Sequence, residues 1–214
     1  MVFLPGGMEF WHGICGRERL KIFDMRYCFF DTETAGLPKN FSAPTTDVDN
    51  WPRLVQLSWI LTDERKEVGR ADFIIRPDGF TIPEEASNVH GITTERALKE
   101  GIGVKEAIYY FLGAARCADC LVGHNVTFDT HVVGAEFVRI WNKDYILGMK
   151  TFDTMKSSVD FCAIEGAYGR YKWPKLMELY QKLFGREFED AHNSMADISA
   201  TAECFWALRE KGII

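Results

Sequence analysis

The stretch Arg26-Tyr27-Cys28-Phe29-Phe30-Asp31-Thr32-Glu33-Thr34-Ala35-Gly36-Leu37 decides how this chain folds. Residues 26–30 are mostly apolar and suit a strand buried in a sheet, and the cluster Asp31-Thr32-Glu33 marks the point where that strand opens onto a site. Asp31 and Glu33 stand two apart, so on extended backbone both carboxylates point to one side and can converge on one cation. A lone D-x-E carries little weight, because acidic residues at strand ends are usually solvated turns. Its meaning depends on what answers it elsewhere in the chain.

Working outward, a loop over 38–52 containing Pro, Asn and Thr separates this strand from two apolar runs, 54–61 and 71–75. The charged turn Asp63-Glu64-Arg65-Lys66 between them predicts a hairpin, giving three neighbouring strands. Thr93 and Thr94 can cap a helix, and 104–115 continues at helical spacing after Gly101 and Gly103. A short strand over 121–123 then leads through Asn125, a good N-cap, into a helix containing Phe128, Val132, Val133 and Phe137. Further helices are expected near 155–164, 174–184 with Pro174 at the first helical position, and 194–211. Hairpin strands followed by alternating strand and helix make an α/β domain with a mixed sheet, whose reactive groups gather at strand ends and adjoining helices.

Two further motifs fall at such positions. Asp129 stands in H-N-V-T-F-D (124–129), one turn into the helix after the 121–123 strand. In H-N-S-M-A-D (192–197), His192 precedes a helix and Asp197 lies one turn inside it. Each has a bland alternative, since acidic residues in a first turn favour the helix dipole and a residue before a helix can cap it. The conjunction of all three motifs, in order, carries the functional signal.

Together D-T-E-T-A-G-L (31–37), H-N-V-T-F-D and H-N-S-M-A-D resemble the three motifs of the DnaQ-like exonucleases of the DEDDh type, a family that includes a proofreading subunit of bacterial DNA polymerase. The resemblance spans roughly residues 27–208 and extends to V-H-G-I-T (89–93) and Y-K-W-P-K-L (171–176). It implies a ribonuclease H-like fold, a mixed five-stranded central sheet flanked by helices. It implies 3′→5′ exonuclease activity releasing nucleoside 5′-monophosphates from a nucleic-acid 3′ end, be it single-stranded DNA, RNA or a frayed duplex. Two divalent cations, Mg2+ or Mn2+, are expected on Asp31, Glu33, Asp129 and Asp197, with Asp31 bridging, Glu33 and Asp197 on the nucleophile side, and Asp129 on the leaving-group side. Hard divalent ions prefer carboxylate oxygens, which agrees with this set. The same resemblance makes His192 the general base, and its five-residue separation from Asp197 matches the histidine branch of the family.

Thr34, Gly36 and Leu37 are expected to meet the terminal nucleotide through backbone donors and an apolar wedge. Ala35 replaces the commoner threonine, which removes any hydroxyl contact there. His90, Asn125 and Phe128 are further substrate-binding candidates, with packing or capping as their alternative role. Polymerase-bound proofreading and stand-alone action in repair both fit. The competing reading is a catalytically silent protein of the same fold that binds nucleic-acid ends or a protein partner; retention of all four carboxylates and His192 speaks against it.

The bulk properties limit what else the chain can be. A net charge of −6 argues against coating long stretches of nucleic acid, which relies on Lys and Arg, though cations held by carboxylates could supply the positive charge at a local site. Six scattered cysteines in a chain of 214 residues are read as free thiols, and Cys117-x-x-Cys120 with His124 nearby as a turn entering a strand in preference to a zinc site. Gln181-Lys182-Leu183-Phe184 is read as part of an amphipathic helix and not as a clamp-binding peptide. No run reaches the roughly 20 apolar residues of a membrane span, and Pro5-Gly6-Gly7 breaks any signal peptide, so a cytoplasmic protein is expected. Residues 1–25 are expected to be an N-terminal extension, of which 1–24 are dispensable, and 26–214 the single exonuclease domain.

Overall fold

The computed structural model describes residues 25–189 and 193–214. Expectations that fall on residues 1–24 and on His192 lie outside the described residues.

Five strands form one sheet in the order β3-β2-β1-β4-β5. β1 (Arg26–Thr34), β2 (Leu54–Asp63) and β3 (Lys66–Ile74) make an antiparallel meander, and β4 (Cys120–Gly123) and β5 (Thr151–Asp153) run parallel to β1. The expected mixed five-stranded α/β architecture is therefore present. β1 does not end at Phe30 but runs through Asp31-Thr32-Glu33, because β2 pairs with it along its whole length, Asp31 opposite Ser58 and Glu33 opposite Gln56. Asp31 and Glu33 are thus held by a ladder, which is stiffer than the strand-end turn that the sequence suggested.

The helices are α1 (Glu84–His90), α2 (Thr94–Glu100), α3 (Val104–Cys117), α4 (Val126–Trp141), α5 (Thr154–Ser157), α6 (Val159–Cys162), α7 (Leu176–Phe184) and α8 (Ser194–Glu210). Thr93 caps α2 as expected, its side chain accepting from the Arg96 N–H. Two local expectations fail, and a third, the Asn125 N-cap, holds in position only. The single helix predicted over 155–164 is two short pieces broken at Ser158, whose hydroxyl donates back to the Thr154 carbonyl at 2.7 Å. Pro174 lies outside α7, which is capped at Lys175 while Glu178 accepts from the Lys175 N–H at 2.8 Å. Asn125 precedes α4, but in left-handed backbone (φ 73°) and with no side-chain cap bond; it is tolerated there because Asn is among the few residues that visit this conformation cheaply.

Side-chain alternation along β1 divides the core. Cys28 and Phe30 join the cluster that includes Leu57, Phe111, Val133 and Phe137, on the face covered by α3 and α4. Tyr27 and Phe29 join Ile60, Val122, Ile198 and Phe205, on the face covered by α8. The same alternation continues into the motif: Asp31 and Glu33 share the α8 face, and Thr32 shares the α4 face. No helix among the described residues is long and apolar enough to cross a membrane.

Candidate active site

The parity of β1 brings its acidic residues to α8. Asn193 caps that helix, its side chain accepting from the Met195 and Ala196 N–H groups, and the Ser194 hydroxyl donates to the Asp31 carbonyl at 3.1 Å. Asp197 is thereby delivered one turn into α8. One carboxylate oxygen from each of Asp31, Glu33 and Asp197 lies within 4.8 Å of the others, a group able to hold a metal ion.

Asp129 reaches the same strand from the opposite face. It is buried in the first turn of α4, where its Oδ1 accepts from both the Thr32 N–H (3.1 Å) and the Thr32 hydroxyl (2.7 Å). All four carboxylates of the sequence motifs therefore meet around Asp31-Thr32-Glu33. Burial, followed by repulsion from Asp129, Glu33 and Asp197, holds the Asp31 carboxyl well above the usual carboxylate range. Burial and repulsion from Asp197 and Asp129 push Glu33 up to about 8. Burial pushes Asp129 to about 7 against the hydrogen bonds from Thr32. A cluster in which three of four carboxyls resist ionisation without a cation is matched to positive charge.

The expected substrate-contacting residues are placed unequally. Thr34 is buried and its hydroxyl donates to the Gly36 carbonyl at 2.6 Å, so it shapes the turn after β1. Gly36 (φ 152°) has open space where a side chain would project, and Leu37 is 75% exposed beside it. His90, at the end of α1, lies against the backbone of Thr34; burial lowers its pKa, and Nδ1 accepts from the Ile92 N–H at 3.1 Å. The Asn125 N–H donates to Asp153 Oδ1 at 3.0 Å. Phe128 packs with Phe41 and Trp51, each ring centroid 6.5 Å away.

Three contributors were not among the expected site residues. Thr32 fixes Asp129; its place between two acidic residues was the available signal. Asp153, at the end of β5, caps α5 and adds negative charge that raises the Asp129 pKa. His124 joins Thr154 Oγ1 (Nδ1, 3.0 Å) and the Pro174 carbonyl (Nε2, 2.9 Å). Both of its nitrogens are engaged, and Cys117, at the end of α3, and Cys120, at the start of β4, are not joined in a disulfide.

Comparison with known proteins agrees with this geometry. No curated protein matches the sequence. Several solved structures of exonuclease I do share the fold. One, whose structure suggests how processivity is achieved, has a TM-score of 0.68 at 23% identity, covering 87% of this chain and 41% of that one. A product-bound exonuclease I gives 0.68 at 22% identity, covering 89% and 45%. The Escherichia coli exonuclease I complex with a dT13 oligonucleotide gives 0.66 at 22% identity, covering 86% and 41%. The chain thus spans about two-fifths of the length of these proteins. A family model described as Exonuclease (RNase_T) matches residues 28–205, from the strand that carries Asp31 to the helix that carries Asp197. The chain therefore belongs to the exonuclease family, the DnaQ-like exonucleases that its three motifs resemble.

Proposed function

We propose that the chain is a 3′→5′ exonuclease that hydrolyses the terminal phosphodiester of single-stranded nucleic acid and releases nucleoside 5′-monophosphates. The observation that carries this reading is the convergence of Asp31, Glu33 and Asp197, with Asp129 locked onto Thr32 beside them. The binding of an oligonucleotide by a protein of the same fold supports a single-stranded DNA substrate.

The donor set fits hard divalent ions, being made of carboxylates whose pKa values are raised by burial and mutual repulsion. We assign Asp31, Glu33 and Asp197 to one Mg2+ or Mn2+ and Asp31 with Asp129 to a second. Such a pair, when bound, supplies activation of water and stabilisation of charge on the phosphoryl group and the leaving 3′ oxygen. Around it, Asp31 and Glu33 are fixed by the β1–β2 ladder, Asp129 by Thr32, and Asp197 by the capped start of α8. Preorganisation of this kind is what allows charge to develop without rearrangement of the protein. His192 takes the proton from the attacking water, and Leu37 and Gly36 meet the terminal nucleotide.

The test is digestion of 5′-end-labelled single-stranded DNA, matching RNA and a mismatched duplex, side by side, with Mg2+, Mn2+ or chelator. A ladder shortening from the 3′ end of DNA, present with metal and absent with chelator, is expected. Binding of the strands without any cleavage would favour the silent end-binding alternative.

A further inference from the structure

Between α6 and α7 the chain forms a narrow ribbon that the proposed chemistry does not use. Glu165 bridges Tyr171, Gly166 N–H donates to the Arg170 carbonyl and Lys172 N–H to the Ile164 carbonyl, both at 2.9 Å, and Ala167–Gly169 forms the tip. The ribbon presents aromatic rings to solvent: Tyr168 is fully exposed, Trp173 63% and Tyr171 51%. Tyr168 also sits in left-handed backbone (φ 59°), a conformation uncommon for an aromatic residue, which holds its ring out at the tip. Large apolar rings clustered on a surface mark a binding face more often than chance.

Charge narrows the partner. From Gly166 to Lys175 there are three cations and no acidic residue, in a chain whose net charge is −6. Lys172 pairs with Glu178 at 2.6 Å, and Glu178 also attracts Lys175, so one acidic residue answers two of these cations, while Arg170 makes no ion pair among the described residues. Aromatic rings interleaved with cations are the composition of a surface that stacks bases and holds phosphates. Protein-docking faces carry Tyr, Trp and Arg as well, so it is the run of cations without an acidic residue, in an acidic chain, that favours a nucleic-acid strand. The aliphatic Ile164 at the base of the ribbon is packed inward against Leu179 and its neighbours.

Position ties the ribbon to the active site. β4 runs parallel to β1 and ends at Gly123, so His124 follows at the end of the sheet towards which β1 carries Asp31 and Glu33. His124 then bonds the Pro174 carbonyl, next to Trp173, so the ribbon is pinned at the carboxylate end of the sheet.

We propose that this ribbon is a single-strand platform: Tyr168, Tyr171 and Trp173 stack on bases 5′ of the terminal nucleotide, and Arg170 and Lys175 hold the phosphates between them. The proposal rests on the exonuclease reading, and the test separates the two. Thymidine 5′-(p-nitrophenyl phosphate) fills only the carboxylate site, while a long oligothymidylate would also reach the ribbon. The variant Y168A/Y171A/W173A is expected to hydrolyse the ester at the wild-type rate, to show a KM for the long strand raised by roughly tenfold or more, and to lose little on a dinucleotide. An unchanged KM on the long strand overturns the platform, and so does an equal loss on the ester, which would make the ribbon a folding element only. Should the wild type cleave neither substrate, the exonuclease reading fails; anisotropy of fluorescein-labelled oligothymidylate in chelator then decides the platform, equal affinity of wild type and variant overturning it.

Discussion

Glu33→Gln removes one carboxylate from a crowded cluster, so in the absence of metal it should stabilise the fold while destroying function. The folded protein holds the Glu33 carboxyl at about 8, against 4.5 for the free side chain. Between those two values the folded state binds the extra proton, so stability is fully present below about 4.5 and is lost as pH rises through about 8. At about 1.4 kcal/mol per pH unit the penalty approaches about 5 kcal/mol above pH 8. The site is open to water on one side, and part of the repulsion is relieved only if Asp197 and Asp129 relax too, so we expect about 2–3 kcal/mol to be recovered by the substitution. For a domain of this size that corresponds to a melting temperature higher by roughly 5–10 °C. Thermal unfolding in chelator at pH 8.5 is the assay. The gap between variant and wild type should nearly vanish at about pH 3.5, where Glu33 is protonated in the folded wild type and almost wholly protonated in its unfolded chain. It should also close in saturating Mg2+, which stabilises the wild type by binding its folded state. A Glu33→Gln protein no more stable than wild type in chelator at pH 8.5 would refute the account of a cluster strained by its own charge.

Asp31→Ala should remain folded by circular dichroism and show no nuclease activity above background with either Mg2+ or Mn2+, as should the wild type in excess chelator; activity in either case would end the two-metal proposal. Thr32→Val keeps the strand but loses the 2.7 Å bond to Asp129, and kcat should fall by roughly 10- to 100-fold with little change in melting temperature, as read from steady-state kinetics and calorimetry. His192→Ala should lower turnover by roughly 10²- to 10⁴-fold at saturating metal, measured on labelled single-stranded DNA, and wild-type turnover would remove His192 from the role of general base. Glu136, buried in α4, accepts from the Arg53 side chain at 2.9 Å, pairs with Arg139 at 2.9 Å and accepts from the Leu54 N–H at 3.2 Å. Glu136→Ala leaves two partly buried guanidinium groups with backbone carbonyls alone and no carboxylate, and should cost about 3–5 kcal/mol in denaturant titration.

The apolar runs, the charged hairpin turn at Asp63–Lys66 and the spacing of the three acidic motifs were enough to predict four of the five strands, the three-residue β5 being too short to show, and to mark four carboxylates as candidates. These are local signals: alternation fixes which face Asp31 and Glu33 share, and first-turn placement fixes where Asp129 and Asp197 project. Sequence alone could not say that β1 continues through its own motif, because that depends on Ser58 and Gln56 pairing from another strand. Nor could it foresee Ser158 breaking a helix, Asn125 taking a left-handed conformation, or Pro174 standing outside α7, where its carbonyl meets His124. The binding of Asp129 to Thr32 is decided by residues 97 apart in the chain, and the meeting of Asp31 with Asp197 by two elements packed on one face of the sheet. The sequence determined which acidic groups are candidates for the site, since side-chain type and periodicity are written residue by residue. Tertiary structure decided their distances, their burial and hence their raised pKa values, because desolvation and repulsion exist only once distant parts of the chain are packed together.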